Sequence, residues 1–188
     1  MVHRARQGFV AERTACINRI RGLLSEFGIV LPLKAEVVRR EARNHLEDLP
    51  SYANLVIGDL LSEVAHLDER VKQYDVHMRT MARDCTAAQQ LMQLMGIGEI
   101  AATAIVAMVG NASEFKCGRQ FAACIGLIPG QYSSGGKARL RRITKAGDPY
   151  LRSLLVMGAR AVLNAAKGKT DSLSHWALAV QERRGQCH

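Results

Sequence analysis

The first hydrophobic pattern along the chain is a helical stripe in residues 7–27. Its apolar members recur three, four or seven positions apart, a spacing that places them on one face of an α-helix. They are Phe9, Cys16, Ile20, Leu23 and Phe27. Gly28 follows as a candidate C-cap, and Pro32 prevents the helix from continuing. The pattern therefore predicts an amphipathic helix that ends near residue 27.

A longer apolar pattern follows Pro50. Its members alternate four and three positions apart through five heptads, as in the seam of a coiled coil. The seam consists of Ala53, Ile57, Leu60, Val64, Leu67, Val71, Tyr74, Met78, Met81, Cys85 and Ala88. Two hypotheses explain it. Residues 7–27 and 34–49 pack on the seam in an intramolecular helical hairpin, or the seam is a dimerisation arm that makes a homo-oligomer.

The pattern changes after residue 90, where acidic residues become rare and glycine becomes frequent. Apolar spacing predicts short helices over residues 99–109, 119–125 and 148–166. Residues 129–147 are predicted to form a loop or a short ribbon. The whole chain is therefore predicted to be all-α, with a helical hairpin or coiled coil at 1–90 and a small helical domain at 91–188.

The net positive charge of the chain lies almost wholly in its second part. The formal net charge is +9, and residues 91–188 carry 13 Lys and Arg against five acids. Such a balance predicts a polyanionic partner, either nucleic acid or an anionic membrane surface. The longest apolar run, residues 100–109, is about half the length of a membrane span. We expect a cytoplasmic protein that binds nucleic acid, has no membrane partner and holds no metal.

The turn Met95-Gly96-Ile97-Gly98 precedes an alanine-rich helix and is similar to a helix-hairpin-helix turn. Glycines there let backbone N–H groups face a phosphate at a helix N-terminus, where the helix dipole also favours an anion. Gly96 and Gly98 are therefore candidate contacts to a DNA backbone. The alternative is that the two glycines only make a tight connection between helices.

The segment from Tyr132 to Lys145 is a basic, glycine-rich loop. It holds five cations and no acid, and Lys and Arg are common partners of phosphate. These candidate nucleic-acid contacts are Lys137, Arg139, Arg141, Arg142 and Lys145. Ser134 lies among the cations, where a serine hydroxyl could act as a nucleophile on phosphorus. The alternative is that Ser134 is an ordinary turn residue.

The sequence after Gly147 is typical of a helix start. Asp148 can cap a helix whose first residue is Pro149. Arg152 on that helix would extend the basic surface toward nucleic acid. The alternative is a basic surface that contacts only solvent.

The chain resembles the C-terminal transposase domain of insertion-sequence family one-hundred-and-ten in two runs, GIGEIAATAIVAMVG and GRQFAACIGLIPGQYSSGGKARLRRITKAGDPYLRSLLVMGARA. An earlier run, ERTACINRIRGLLSEFGIVLP, is similar to the helix that follows the same family's N-terminal domain. The resemblance covers most of residues 3–184.

The resemblance implies DNA transposition, with DNA as a partner and, for some members, a structured bridge RNA as a guide. It also implies a nucleophilic serine in a Ser-Gly motif, which matches Ser134 before Gly135, with Ser133 as the fallback. Mg²⁺ is implied for the intact protein, bound by four acids of an N-terminal RNase-H-like domain. The chain begins where that domain is expected to end, so we expect it to bind no Mg²⁺ and to be catalytically incomplete alone.

Two other classes of function compete with transposition. A non-catalytic DNA-binding or architectural protein would use only the helix-hairpin-helix turn and the basic loop, and replacing Ser134 would leave its function intact. A purely structural coiled-coil oligomer would bind nucleic acid no more strongly than its charge alone explains.

Overall fold

A computed structural model describes residues 1–132 and 139–184 of the chain. Within these ranges it contains eight α-helices, one short 3-10 helix and one two-stranded antiparallel sheet. The elements are α1 (Val2–Glu26), α2 (Ala35–Asn44), α3 (Ser51–Arg83), α4 (Thr86–Met92), α5 (Glu99–Val109), the 3-10 helix (Ala112–Glu114), α6 (Gly118–Cys124), β1 (Pro129–Gln131), β2 (Leu140–Ile143), α7 (Pro149–Ala166) and α8 (Ser172–Arg184). The predicted all-α class is confirmed.

The chain folds as two compact units, divided within α3 between Met78 and Arg79. Because compactness alone does not define a functional domain, the division into 1–90 and 91–188 stays a prediction. Among the described residues, no helix is long and apolar enough to cross a membrane.

Unit 1, residues 1–78, is built on one hydrophobic core shared by α1, α2 and α3. Its buried members are Cys16, Ile17, Ile20, Leu24, Leu31, Val38, Ala42, Leu49, Ala53, Ile57, Leu61 and Val64. The first half of the predicted seam therefore packs against residues of the same chain, as the hairpin hypothesis expects. The dimerisation arm stays a prediction.

The predicted end of α1 is confirmed. The helix ends at Glu26, and Gly28 follows with a φ of +78°, which a glycine adopts at no steric cost. The N–H groups of Gly28 and Ile29 donate to the carbonyls of Ser25 and Leu24, 3.1 and 3.0 Å away. These bonds satisfy the last carbonyls of α1 and turn the chain toward α2.

Ion pairs set the antiparallel register of α1 against α3. Arg6 Nε lies 2.6 Å from Asp75 Oδ1, and Arg13 Nη1 lies 3.0 Å from Asp68 Oδ1. The two arginines are seven positions apart on α1, as the two aspartates are on α3, so the pairs recur at the same spacing on both helices. Arg39 of α2 also contacts Asp68, at 2.8 Å, so α2 is joined to α3 by an ion pair as well.

The predicted seam is wrong at its end. α3 stops at Arg83, so the last two seam positions, Cys85 and Ala88, are not on this helix. Met81 is 41% exposed, whereas its neighbour Ala82 is fully buried. Alternating steps of four and three average 3.5 residues per turn, but a straight α-helix has about 3.6 and drifts by roughly 20° per heptad against that repeat. The buried stripe follows the straight helix, so by the end of α3 it has moved by one residue.

Unit 2, residues 79–188, is organised around α5, whose predicted bounds of 99–109 are confirmed. Five consecutive residues of α5, from Ala101 to Ile105, are buried, so this helix is covered on all sides. The one polar residue of this run, Thr103, donates its hydroxyl to the Glu99 carbonyl at 2.7 Å. Ile125 and Leu151 join α5 in a core that links α6 and α7 to it.

Candidate nucleic-acid interface

The predicted ribbon at residues 129–147 is a β-hairpin. Pro129 of β1 pairs with Ile143 of β2, and Gln131 pairs with Leu140, with a bulge between the two pairs. Beyond the strands, Tyr132 N–H donates to the Arg139 carbonyl at 2.9 Å. This bond holds together the two ends of the segment 133–138, which carries Ser134 and Lys137. These two predicted site residues lie outside the described residues.

Four of the predicted cations share the hairpin. Arg139, Arg141, Arg142 and Lys145 are all exposed on β2 or beside it. Residues 128–147 contain no acid, so the positive potential of this ribbon is not neutralised from within it. Such a surface attracts phosphate, and the predicted contacts are thus brought together by β2 rather than scattered along a loop.

Arg141 stacks on an aromatic ring. Its Cζ lies 4.7 Å from the centroid of the Tyr132 ring, across the hairpin. The ring is still 62% exposed. Sequence reasoning missed a role for Tyr132, although the signal was present: an aromatic residue next to a run of cations is a common feature of single-strand binding surfaces.

Two glycines join the base of the hairpin to the end of α6. Gly126 and Gly147 have φ values of +71° and +82°. A Cβ added to Gly126 would lie 2.0 Å from the Ala146 carbonyl oxygen, and one added to Gly147 would lie 2.0 Å from that of Cys124. The two backbone segments are therefore packed so closely that only glycine fits at either position.

Arg152 fixes the same junction from α7. Its Nη1 donates to the Ile125 carbonyl at 2.9 Å and to the Ala146 carbonyl at 3.1 Å. The guanidinium thus bridges the end of α6 and the base of the hairpin. This contact supports a structural role for Arg152, and its predicted contact with nucleic acid stays a prediction.

The predicted cap of α7 is confirmed. Pro149 is the first helical residue, and Asp148 Oδ1 accepts hydrogen bonds from Tyr150 N–H at 2.7 Å and Leu151 N–H at 3.3 Å. The cap satisfies two backbone donors that lack a partner inside the helix. The start of α7, and with it Arg152, is therefore placed by local sequence.

The predicted turn between α4 and α5 contains two glycines in different surroundings. Gly96 has a φ of +86°, and a Cβ added to it would lie 2.8 Å from Val162 Cγ2 and 2.9 Å from the Gly158 carbonyl oxygen of α7. Gly98 is the exposed N-cap of α5, and an added Cβ would meet no described atom within 4 Å. Of the two, Gly98 has the open space that a phosphate would need.

The described residues do not fit a magnesium site. Among them no group of three or more His, Cys, Asp or Glu side chains could hold a metal ion. Asp148, the acid that follows the hairpin in the sequence, is committed to the cap of α7.

Residues 88–175 match the family model described as Transposase IS116/IS110/IS902 family. The chain is 37% identical to a probable family 20 transposase of Pseudomonas aeruginosa, over 97% of this chain and 56% of that protein. It is also 37% identical to the transposase for insertion sequence element IS1111A of Coxiella burnetii, over 96% of this chain and 50% of that protein. The transposase for insertion sequence element IS1328 of Yersinia enterocolitica is 34% identical, over 93% and 53%. The chain spans about half the length of these curated relatives.

Proposed function

Because residues 88–175 match the family model of the IS116/IS110/IS902 transposases, we propose that the chain acts in DNA transposition. In this proposal it is the part that binds nucleic acid and carries the nucleophile, Ser134. The observation that supports it best is the placement of cations on the hairpin. Arg141 and Arg142 are exposed on β2 and Arg139 directly precedes it, so three cations that can bind phosphate follow Ser134 closely in the sequence.

The proposed chemical step is the exchange of one phosphate ester for another. Ser134 Oγ forms a bond to phosphorus, and one bridging P–O bond of the DNA strand breaks. The serine hydroxyl loses its proton, and the departing oxygen of the DNA gains one. The bonds made and broken are of the same type, so the covalent intermediate keeps the energy needed to join the DNA end elsewhere.

The basic hairpin would contribute in two ways. Arginine binds phosphate oxygens through a rigid fork of donors, which orients the phosphate toward the attacking oxygen. Cations placed beforehand also stabilise the extra negative charge of the transition state. Both effects depend on the hairpin being held at its base by Gly126, Gly147 and Arg152.

A guide RNA and a second copy of the chain complete the proposal. Both come from the resemblance and from the seam of α3, and neither is needed for the hairpin to bind phosphate. Light scattering of the purified chain, with and without a candidate RNA, tests them together.

Substituting the two serines separately tests the nucleophile. We expect Ser134→Ala to abolish covalent protein–DNA complexes in cells that carry the element, and Ser133→Ala to leave them within about threefold of the wild-type level. The measurement is quantitative PCR of the element's DNA ends that remain attached to the protein after denaturation. Loss with Ser133→Ala alone would transfer the role to that residue.

A non-catalytic DNA-binding protein is the second candidate. The open N-terminus of α5 at Gly98 favours it, because that site could bind a phosphate without any nucleophile nearby. Under this hypothesis neither serine substitution changes the amount of bound DNA, and no complex survives denaturation in the wild type.

A further inference from the structure

The exposed aromatic ring of Tyr132, at the end of β1, contributes little to folding. It follows β1 directly, and 62% of its surface is exposed although large apolar rings are usually buried. Two-stranded hairpins have little core of their own. The ring is therefore available to a ligand.

The surroundings of the ring are those of a nucleic-acid surface. Tyr132 lies opposite Arg139, whose carbonyl accepts from the Tyr132 N–H at 2.9 Å, and opposed residues share one face of an antiparallel pair. The 4.7 Å contact places the Arg141 guanidinium beside the Tyr132 ring. An exposed ring thus lies beside cations, which is the combination found where bases stack on a protein while the backbone is held by charge.

We propose that Tyr132 and Arg141 form a stacking site for one unpaired base of single-stranded DNA. A paired base is stacked inside the duplex and cannot also stack on the ring, so the site favours single-stranded over duplex DNA. This inference rests on the proposed function for the identity of the ligand, and the binding itself does not require Ser134 to react.

The test compares the affinity of the chain for an oligonucleotide that has bases with its affinity for one that lacks them. The probes are a fluorescein-labelled thymidine oligonucleotide and the same oligonucleotide with abasic sites, which keeps every phosphate. We expect the wild-type chain to bind the thymidine probe about tenfold more tightly than the abasic probe, the order of magnitude of one base–aromatic stack. Tyr132→Leu removes the ring and keeps an apolar side chain, so it should bind both probes equally. An equal loss of affinity by Tyr132→Leu on both probes would overturn the proposal.

Two further variants separate stacking from hairpin stability and from charge. Tyr132→Phe keeps the ring and should keep at least half of the preference for thymidine, whereas a preference lost in Tyr132→Phe would overturn the role of the ring. Arg141→Gln and Arg142→Gln each remove one charge, but only Arg141 contacts the ring. The preference for bases should fall in Arg141→Gln and persist in Arg142→Gln, and an equal fall in both would exclude Arg141 from the site.

Two more experiments identify the ligand and distinguish the stacking site from the proposed role of Ser134 as nucleophile. If Tyr132→Leu lowers affinity for a uridine RNA or for a duplex of equal length more than for thymidine DNA, the assignment to single-stranded DNA is overturned. Ser134→Ala should retain the preference for thymidine. If no covalent protein–DNA complex forms but the preference for thymidine is present, only the role of Ser134 as nucleophile is rejected. If the covalent complex forms but the preference for thymidine is absent, only the stacking site is rejected.

Discussion

At the scale of single residues, the two glycines of the α4–α5 turn show how far sequence reasoning reaches. Both glycines match the spacing of a helix-hairpin-helix turn, and the sequence predicts one role for both. The structure separates them, because Gly96 packs against α7 and Gly98 is open. The partner of Gly96 is Gly158, which is distant in sequence, so no local pattern could reveal the contact.

Gly96→Ala should destabilise the protein by about 2–5 kcal/mol. Its positive φ costs an L-residue roughly 1–2 kcal/mol, and a methyl group 2.8 Å from Val162 adds an overpacking cost of about 1–3 kcal/mol. Gly98→Ser is the matched control, since serine is a good N-cap and meets no described atom nearby, so its effect should stay within about 0.5 kcal/mol. Urea unfolding of both variants measures the difference, and equal stability would contradict the Gly96–Gly158 contact.

At the scale of elements, local sequence signals predict the bounds of helices in unit 2 more accurately than heptad counting predicts the buried face of α3. The sequence predicts α5 and the cap of α7 correctly because the N-cap residues Gly98 and Asp148 mark where the two helices begin. The end of the α3 stripe is misplaced at Met81, because heptad counting assumes a supercoil that the helix does not follow. The hairpin is predicted only as a loop or ribbon, since its strands are short and contain charged residues.

The N-terminus of α8 should loosen in acid. Asp171 accepts hydrogen bonds from the Ser174 hydroxyl at 2.7 Å and from the Ser174 N–H at 3.1 Å, and these bonds hold the pKa of its carboxyl below the ordinary value. A carboxyl whose pKa is lowered by folding stabilises the folded state above its unfolded pKa and loses that contribution as pH falls through the folded pKa.

Hydrogen exchange of the Ser174 and His175 amides measures this effect. In the wild type their protection should decline as pH falls below the ordinary pKa of aspartate, once the intrinsic exchange rate is corrected for pH. Asp171→Asn keeps a capping oxygen and cannot titrate, so its protection should not change over the same range. Identical pH profiles in the two proteins would rule out Asp171 as the cause.

At the scale of the whole molecule, charge is the property that the sequence predicts most directly. The excess of cations in residues 91–188 is visible from counting alone. What counting cannot predict is which cations are available to a ligand. Arg141 and Arg142 are exposed on β2, whereas Arg152 is occupied by two carbonyls that lie on other elements.

The salt dependence of DNA binding should report this difference. For duplex DNA, affinity falls by about 0.9 logarithmic units per tenfold increase in salt for each phosphate contact. Arg141→Gln and Arg142→Gln should each reduce that slope by about 0.9, and Arg152→Gln should leave it unchanged. Fluorescence anisotropy at several salt concentrations measures the slopes. A flat response in the wild type would contradict both DNA-binding hypotheses, and a reduced slope in Arg152→Gln would support the predicted contact of that residue with nucleic acid.

The register of α1 against α3 has a consequence for how the protein is made. The ion pair between Arg6 and Asp75 joins residues 69 positions apart. A ribosome adds roughly 5–20 residues per second, so about 3–14 s pass between the synthesis of Arg6 and that of its partner. Until α3 is synthesised, the apolar face of α1, including Ile20 and Leu24, has at most α2 to pack against. The first helix thus stays longest without its final partner on the ribosome, and we expect a chaperone that binds the nascent chain of unit 1 to bind there.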